Sequence, residues 1–123
     1  MNPSPVRAER SASAVEAQVS KTSFPHGGTY LLRNTNSHAI LRCTDFTSRP
    51  SHADQLHMDL WIHGHNLAID AGTYLYSGQA PWRNGLAHTN VHNTVIVDNK
   101  DQMQMVSRFT WTNWAAAAAT SSP

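Results

Sequence analysis

The sequence has few of the features that mark several large classes of protein. It contains a single cysteine, Cys43, which excludes an internal disulfide. Only 14% of the residues are charged and the formal net charge is +1, so the composition predicts neither a nucleic acid nor an acidic membrane surface as a partner. No apolar run approaches the ~20 residues of a membrane-spanning helix, and the first residues lack the apolar stretch of a secretory signal.

Several motifs of known chemistry are missing as well. The sequence has no glycine-rich phosphate loop, no G-x-S-x-G turn, no paired-cysteine zinc pattern and no internal repeat. Cys43 lies in an alternating stretch, where we expect a buried and unreactive thiol. Two features remain to be interpreted, the alternation of apolar residues and the histidines.

The apolar residues alternate over short stretches that are separated by glycine, proline and asparagine. Such stretches predict six or seven β-strands and almost no helix. The chain has 123 residues, of which 40% are hydrophobic, and this is enough for one domain. We therefore predict an all-β fold, an antiparallel β-sandwich of jelly-roll-like form. The expected strands cover residues 29–33, 39–44, 56–63, 67–70, 73–76, 91–98 and 103–111.

The two ends of the chain offer little that can be buried. Residues 1–23 are rich in serine, alanine and proline, and they predict a flexible lead-in. Residues 116–123 lose the alternating pattern, which predicts a flexible tail. The sandwich domain is therefore expected over residues 24–115.

Histidine is abundant, with eight residues in the chain. Two of them and one carboxylate, His52, Asp70 and His92, form a set that commonly binds zinc, and each is predicted at the edge of a strand. A chain with eight histidines also offers such a set by chance. Strand register alone would equally bring His57 or His65 towards the carboxylate.

The residues around this set have two interpretations. Asp54 lies two positions after His52, so its carboxylate is placed to orient the imidazole through the second ring nitrogen. A carboxylate that binds backbone amides in a turn explains Asp54 equally well.

Trp82, Arg83 and Asn84 are the best candidates for contacts with a ligand. An aromatic face, a guanidinium and an amide on one loop suit a sugar that carries a carboxylate. A loop held down by the tryptophan, with the arginine in solvent, is the alternative. Tyr76 and His88 are able to transfer a proton, and both are weak catalytic candidates.

The order of five motifs resembles a known family. The motif SHADQLHMDLW is followed by LAIDAGTYLY, PWRN, HNTVIVDNKDQM and RFTW. In this order they are similar to the C-terminal sheet domain of the heparinase II/III family of polysaccharide lyases, which includes alginate lyase relatives. The resemblance covers about residues 24–115.

The resemblance implies a fold, an activity and a metal. Members of the family have an α/α toroid followed by an antiparallel β-sandwich, and they cleave acidic polysaccharides by β-elimination. The sandwich holds a zinc ion that is regarded as structural, and its ligands match His52, Asp70 and His92. Family members are often periplasmic or secreted.

Two positions depart from the family pattern. Pro50 stands where many members have a further histidine, and Trp82 stands where some relatives have a tyrosine. The toroid, which supplies catalytic groups in the family, is missing from this chain. We therefore expect the zinc-binding C-terminal domain of a polysaccharide lyase, inactive without its toroid. The alternatives are a stand-alone carbohydrate-binding module and a cupin-like metal-binding sandwich.

Overall fold

The computed structural model describes residues 19–120. Within them the chain forms two antiparallel sheets and three short 3-10 turns, and none of these turns is long and apolar enough to cross a membrane. The prediction of an all-β fold with antiparallel sheets, as in a β-sandwich, is confirmed. The parts of the predicted lead-in and tail that cover residues 1–18 and 121–123 lie outside the described residues.

The larger sheet is built from strands that are neighbours in the sequence. Each strand pairs antiparallel with the next one along the chain. Between the second and third strands, Oδ1 of Asn34 accepts hydrogen bonds from the backbone N–H groups of Asn36 and Ser37, which closes a tight turn. The five strands are β1 (Ser20–Phe24), β2 (Thr29–Arg33), β3 (Ser37–Arg42), β4 (Met58–Ile62) and β5 (His65–Ala68).

Strand β1 lies mostly within the predicted lead-in. The sequence places residues 20–23 in the flexible lead-in, but the structure pairs Ser20–Phe24 with β2 along its whole length. All five side chains of β1 are exposed. Because the strand buries no apolar side chain, the apolar pattern could not reveal it.

The second sheet is a hairpin where the sequence predicts one strand over residues 103–111. Strands β6 (Gln104–Ser107) and β7 (Thr110–Thr112) pair antiparallel, and Phe109 has a positive φ of 58° in the turn between them. Tyr74 has a positive φ of 59°, and no strand forms around it, although residues 73–76 are predicted to be extended. A positive φ is rare for bulky residues, so the alternation of apolar residues does not reveal either turn.

Residues 91–98 are also predicted as a strand and do not form one. The chain makes a 3-10 turn at Thr89–Val91 and then a series of bends. The carbonyl oxygen of Asn93 accepts the backbone N–H of Met58 in β4, but side chains bind other backbone groups of this segment. For example, Nε2 of Gln102 donates to the carbonyl oxygen of Val95 over 3.1 Å.

The core lies between the second sheet and the loop that precedes β4. Nε1 of Trp111 in β7 donates to the carbonyl oxygen of Ser51 over 3.0 Å, which ties that loop to the sheet. Cys43 is buried, as predicted. The buried apolar cluster consists of Ala53, Ala87, Met103 and Trp111, with Phe46, Met105 and Ala115 packed against it.

Candidate metal centre

Three loops converge near the end of β5. His52 lies in the loop before β4, Asp70 lies two residues beyond β5, and His92 follows the 3-10 turn at Thr89–Val91. Each of the three residues offers one possible ligand atom, and these atoms all lie within 4.8 Å of one another. The structure thus brings together the three residues predicted as metal ligands.

Asp70 lies just beyond the paired part of the β4–β5 hairpin. There the backbone N–H of Met58 donates to the carbonyl oxygen of Asn93 over 3.0 Å, and Nδ2 of Asn93 donates to the carbonyl oxygen of Ile69 over 2.9 Å. These bonds hold the segment that carries Asp70 beside His57, whose Nε2 lies 3.6 Å from Oδ2 of Asp70.

His92 is the most enclosed member of the set. Its side chain is fully buried, and its Nδ1 lies 3.2 Å from Oδ2 of Asp70. Within residues 19–120, neither of its ring nitrogens has a partner with the geometry of a hydrogen bond. Buried polar atoms nearly always have a partner, so these two nitrogens are available to a ligand from outside the chain.

One oxygen of Asp70 is held by the backbone and the other faces the histidines. The N–H of Gly72 donates to Oδ1 over 2.6 Å, in a turn where Gly72 has a positive φ of 68°. Glycine adopts this conformation without strain. Oδ2 is therefore directed towards His92 and His57.

His57 is close to the set, but its hydrogen bonding does not suit a ligand. The backbone N–H of Asn93 donates to Nδ1 of His57 over 3.2 Å. A nitrogen that accepts a hydrogen bond carries no proton, so in the neutral ring the proton is on Nε2. The nitrogen that faces Asp70 is thus an N–H donor, whereas a metal ligand needs a free lone pair. His65, the other alternative, is exposed at the start of β5 and does not belong to the cluster.

His52 is oriented by a hydroxyl group. Its Nε2 lies 3.2 Å from Oγ1 of Thr73, and its ring centroid lies 5.3 Å from that of His92. Asp54, expected to orient His52, pairs with Arg42 instead, with 3.1 Å between Oδ1 and Nε. Asp54 still contributes negative charge, which acts on the pKa of His92.

The electrostatics keep the ligand atoms in the form that a metal needs. Burial lowers the pKa of His92 below its usual 6.5, and this outweighs the opposing effect of Asp70. Partial burial would raise the pKa of Asp70, but the Gly72 hydrogen bond and the nearby histidines hold it below its usual 3.8. Near neutral pH the imidazole is therefore neutral and the carboxylate is ionised.

This set of donors fits zinc. Two neutral imidazoles and one carboxylate are common zinc ligands, and they leave a fourth position for water or another group. Bonds of about 2.0 Å in tetrahedral geometry separate two ligand atoms by roughly 3.3 Å. The 3.2 Å between Nδ1 of His92 and Oδ2 of Asp70 matches that separation, and all three ligand atoms lie within 4.8 Å of one another.

The loop predicted to bind a sugar divides into exposed and buried parts. The side chains of Trp82 and Arg83 are exposed, and Trp82 contacts the edge of Tyr74 with 5.8 Å between ring centroids. Asn84 is buried, with 5% of its surface exposed, and its backbone N–H donates to the carbonyl oxygen of Leu75 over 3.1 Å. Asn84 therefore also helps to shape the loop.

The two proton-transfer candidates, Tyr76 and His88, face different cavities. Tyr76 packs against Phe109 and lines a cavity with His52. Nδ1 of His88 lies 2.7 Å from Oδ2 of Asp101, and His88 lines none of the walls of the Tyr76 cavity. The structure does not bring the two candidates together as a catalytic pair.

Comparison with known proteins identifies the family. Residues 17–123 match the model of the heparinase II/III-like C-terminal domain. The chain belongs to this family. It is 42% identical over 55 residues to a heparin-sulfate lyase of Bacteroides stercoris, an alignment that covers 41% of this chain and 8% of that protein.

Two structures of a heparinase III, one with methylated lysines, resemble the chain over 67% of its length. Their TM-scores are 0.59 and 0.58, and the sequence identity is 28% in both cases. The chain covers 14% of each of those structures. This member of the heparinase II/III-like family thus corresponds to a small part of the longer proteins that it matches.

Two glutamines of this heparinase-like domain hold the loops in place, and the sequence alone did not single them out. Oε1 of Gln102 accepts the backbone N–H of Gln55 over 2.9 Å, and its Nε2 donates to the carbonyl oxygen of the same residue over 3.0 Å. Gln55 in turn accepts the backbone N–H of Thr44 and donates to its carbonyl oxygen. The repeated Asp-Gln pair, at residues 54–55 and 101–102, is the only sign of these contacts in the sequence.

Proposed function

We propose that the chain is the metal-binding C-terminal sheet domain of a polysaccharide lyase, which cleaves uronic-acid-containing polysaccharides by β-elimination. The observation that carries the metal site is the convergence of His52, Asp70 and His92 around buried nitrogens that have no partner among the described residues. Membership of the heparinase II/III-like family supports the lyase.

The metal that fits best is zinc in a structural role. Its three ligands come from three separate loops that share no strand ladder. A bound ion would add its binding free energy to the stability of the folded loops. The candidate sugar contacts, Trp82 to Asn84, lie in the same segment of the chain as the ligand His92. The ion that binds His92 would therefore also hold the sugar-binding surface in place.

β-elimination needs three groups, and this chain offers only the first with good support. A cation must neutralise the uronate carboxylate, a base must remove the adjacent proton, and an acid must protonate the leaving oxygen. Arg83 is suited to the first role, because its guanidinium is exposed beside Trp82, which would stack on the sugar ring. We propose that an α/α toroid outside this chain supplies the base and the acid.

The exposed tryptophan also favours a second function, that of a stand-alone carbohydrate-binding module. Trp82 and Tyr74 form an aromatic pair of which both members are more than half exposed. Such a pair binds sugars without any catalytic group. Formation of an unsaturated uronate product by the full-length protein would favour the lyase over the carbohydrate-binding module.

The metal site is tested by elemental analysis of the purified chain. We expect about one zinc ion per chain, and we expect Ala substitutions at His52, Asp70 or His92 to remove most of it. His65→Ala is the matched control, because His65 is an exposed histidine outside the cluster. Full retention of zinc in all three Ala variants would show that the site is not a metal centre.

A further inference from the structure

Three cavities meet at His88. The first, of about 540 Å³, is lined by Arg83, Asn84, His88 and Arg108, together with residues 105–107. The second, of about 480 Å³, shares Arg83 and His88 with the first and adds Trp82. The third, of about 170 Å³, shares His88 and adds Asp101. Because these cavities have walls in common, we describe them together as the His88 groove.

Two arginines from different parts of the chain line the first cavity of the groove. Arg83 comes from the loop after β5, and Arg108 comes from the turn between β6 and β7. Within residues 19–120 neither of them has a carboxylate within salt-bridge distance. Nη1 of Arg108 donates to the carbonyl oxygen of Tyr76 over 3.3 Å, which restrains this guanidinium. The cavity therefore offers two positive charges that lack an acidic partner.

A buried amide in the same wall also lacks a partner. Asn84 is 5% exposed, and its Oδ1 has no hydrogen bond from the described residues. Nδ2 of Asn84 has only a long contact of 3.9 Å with Sδ of Met105. An unpaired buried acceptor costs free energy, so this wall of the cavity holds a polar group that the protein itself does not satisfy.

The ring of His88 is held in one orientation. Oδ2 of Asp101 lies 2.7 Å from Nδ1 of His88, and Oδ1 of the same carboxylate accepts the backbone N–H of Thr89 over 2.8 Å. An ionised carboxylate only accepts hydrogen bonds, so the proton of the neutral ring is on Nδ1. The edge contact with Trp111, with 5.7 Å between centroids, restrains the ring further. Nε2 is left as a fixed acceptor.

We propose that the His88 groove binds one acidic saccharide unit, with Arg83 and Arg108 together pairing with its carboxylate or sulfate group. Nε2 of His88 accepts a hydrogen bond from a hydroxyl group of the same unit. Arg108 and His88 thereby become specificity-determining residues. The inference rests on the proposed function, because that function makes the ligand an acidic polysaccharide.

Calorimetric titration of the chain with defined oligosaccharides tests this arrangement. The ligands are oligogalacturonate, which carries only carboxylates, dextran sulfate, which carries only sulfates, heparin fragments, which carry both, and neutral dextran. We expect Arg83→Gln and Arg108→Gln each to weaken the binding of acidic ligands roughly tenfold or more, and to leave neutral binding unchanged. The ligand with the larger loss identifies whether a carboxylate or a sulfate is bound.

Two further variants control the result. Arg33→Gln removes the same charge at the end of β2, away from the groove, and should leave all affinities unchanged. His88→Phe keeps an aromatic ring against Trp111 but removes the acceptor, so it should weaken acidic and neutral ligands alike. Wild-type affinities in both arginine variants, with melting temperatures unchanged, would overturn the inference and leave the proposed function standing. Failure of the wild-type chain to bind any acidic ligand would instead overturn the substrate class of the proposed function.

Discussion

The backbone N–H of Asn93 donates a hydrogen bond to Nδ1 of His57, with 3.2 Å between the two nitrogens. Asn93 directly follows His92, so the segment that carries one metal ligand also fixes the tautomer of its neighbour. The ring of His57 contacts that of His92 edge-on, with 5.4 Å between centroids. His57 is therefore placed to support the centre through an N–H that faces Asp70, not as a ligand.

This arrangement predicts a graded response to histidine substitution. His57→Ala should keep the zinc but weaken its binding by about 10–100-fold, because the carboxylate loses a supporting N–H donor. His92→Ala should lose most of the ion. Competition with a chelator measures both effects, and ¹⁵N chemical shifts of the His57 ring report which nitrogen carries the proton. Equal loss of zinc in His57→Ala and His92→Ala would show that His57 is itself a ligand.

The lowered pKa of His92 predicts how stability depends on pH in the zinc-free protein. A histidine whose pKa is depressed by folding contributes stability above its unfolded pKa of about 6.5, and that contribution is lost as the pH falls towards its folded pKa. Asp70, whose pKa is also depressed, acts in a lower window that begins near its usual 3.8. Urea midpoints should therefore fall between pH 7 and pH 5.

A variant separates His92 from the other titrating groups in that experiment. His92→Gln cannot be protonated, so its urea midpoint should change less between pH 7 and pH 5 than that of the wild type. His65→Gln, which removes an exposed histidine, should follow the wild type. Parallel curves for the wild type and His92→Gln would show that burial of His92 does not control this transition.

The parts of the fold that depend on local sequence could be predicted. The β2–β3 hairpin follows from Asn34 and its polar neighbours, whose contacts lie within three residues of one another. The hairpin of β6 and β7 could not be predicted, because the conformation of Phe109 is set by the strands on either side of it. Strand β1 was not predicted, because it is held by pairing with β2 and buries no apolar side chain.

Prediction of the candidate site was limited in the same way, because the site is formed by residues that are far apart in the sequence. His52 and His92 are 40 positions apart in the sequence, and no local pattern brings them together. The resemblance to family motifs allowed those two ligands to be predicted. The residues that contact the ligands could be identified only in the structure. Thr73, and not the predicted Asp54, contacts the ring of His52. Arg108 lines the same cavity as Arg83, but it lies in a turn that the sequence does not reveal.

The contacts of Gln102 predict that it stabilises the site from a distance. Gln102→Ala should lower the free energy of unfolding by about 1–3 kcal/mol, because the backbone N–H of Gln55 loses its hydrogen-bond partner. Gln104→Ala is the matched control, since Gln104 is exposed on β6. Chemical denaturation measures the difference. A loss of the same size in both variants would assign the effect to the second sheet in general.

The separation of Tyr76 from His88 bears on whether the chain is active by itself. Tyr76 lines a cavity with His52 and Thr73, whereas His88 lines the groove beside Arg83. About two thirds of Tyr76 is exposed to solvent, where nothing clamps a substrate against it. Trp82 cannot exchange a proton as a phenol does.

We therefore expect the 123-residue chain alone to bind acidic polysaccharide without cleaving it. A general base or acid contributes ~10²–10⁴-fold each, so a domain that lacks both should produce no unsaturated product above background. Absorbance of that product is to be followed with alginate, heparan sulfate and heparin, with and without a co-expressed toroid domain. Turnover should appear only when the toroid is present, and it should then depend on Arg83. Robust turnover by the chain alone, abolished in both Tyr76→Phe and His88→Phe, would show instead that these two residues act as the acid and the base despite facing separate cavities.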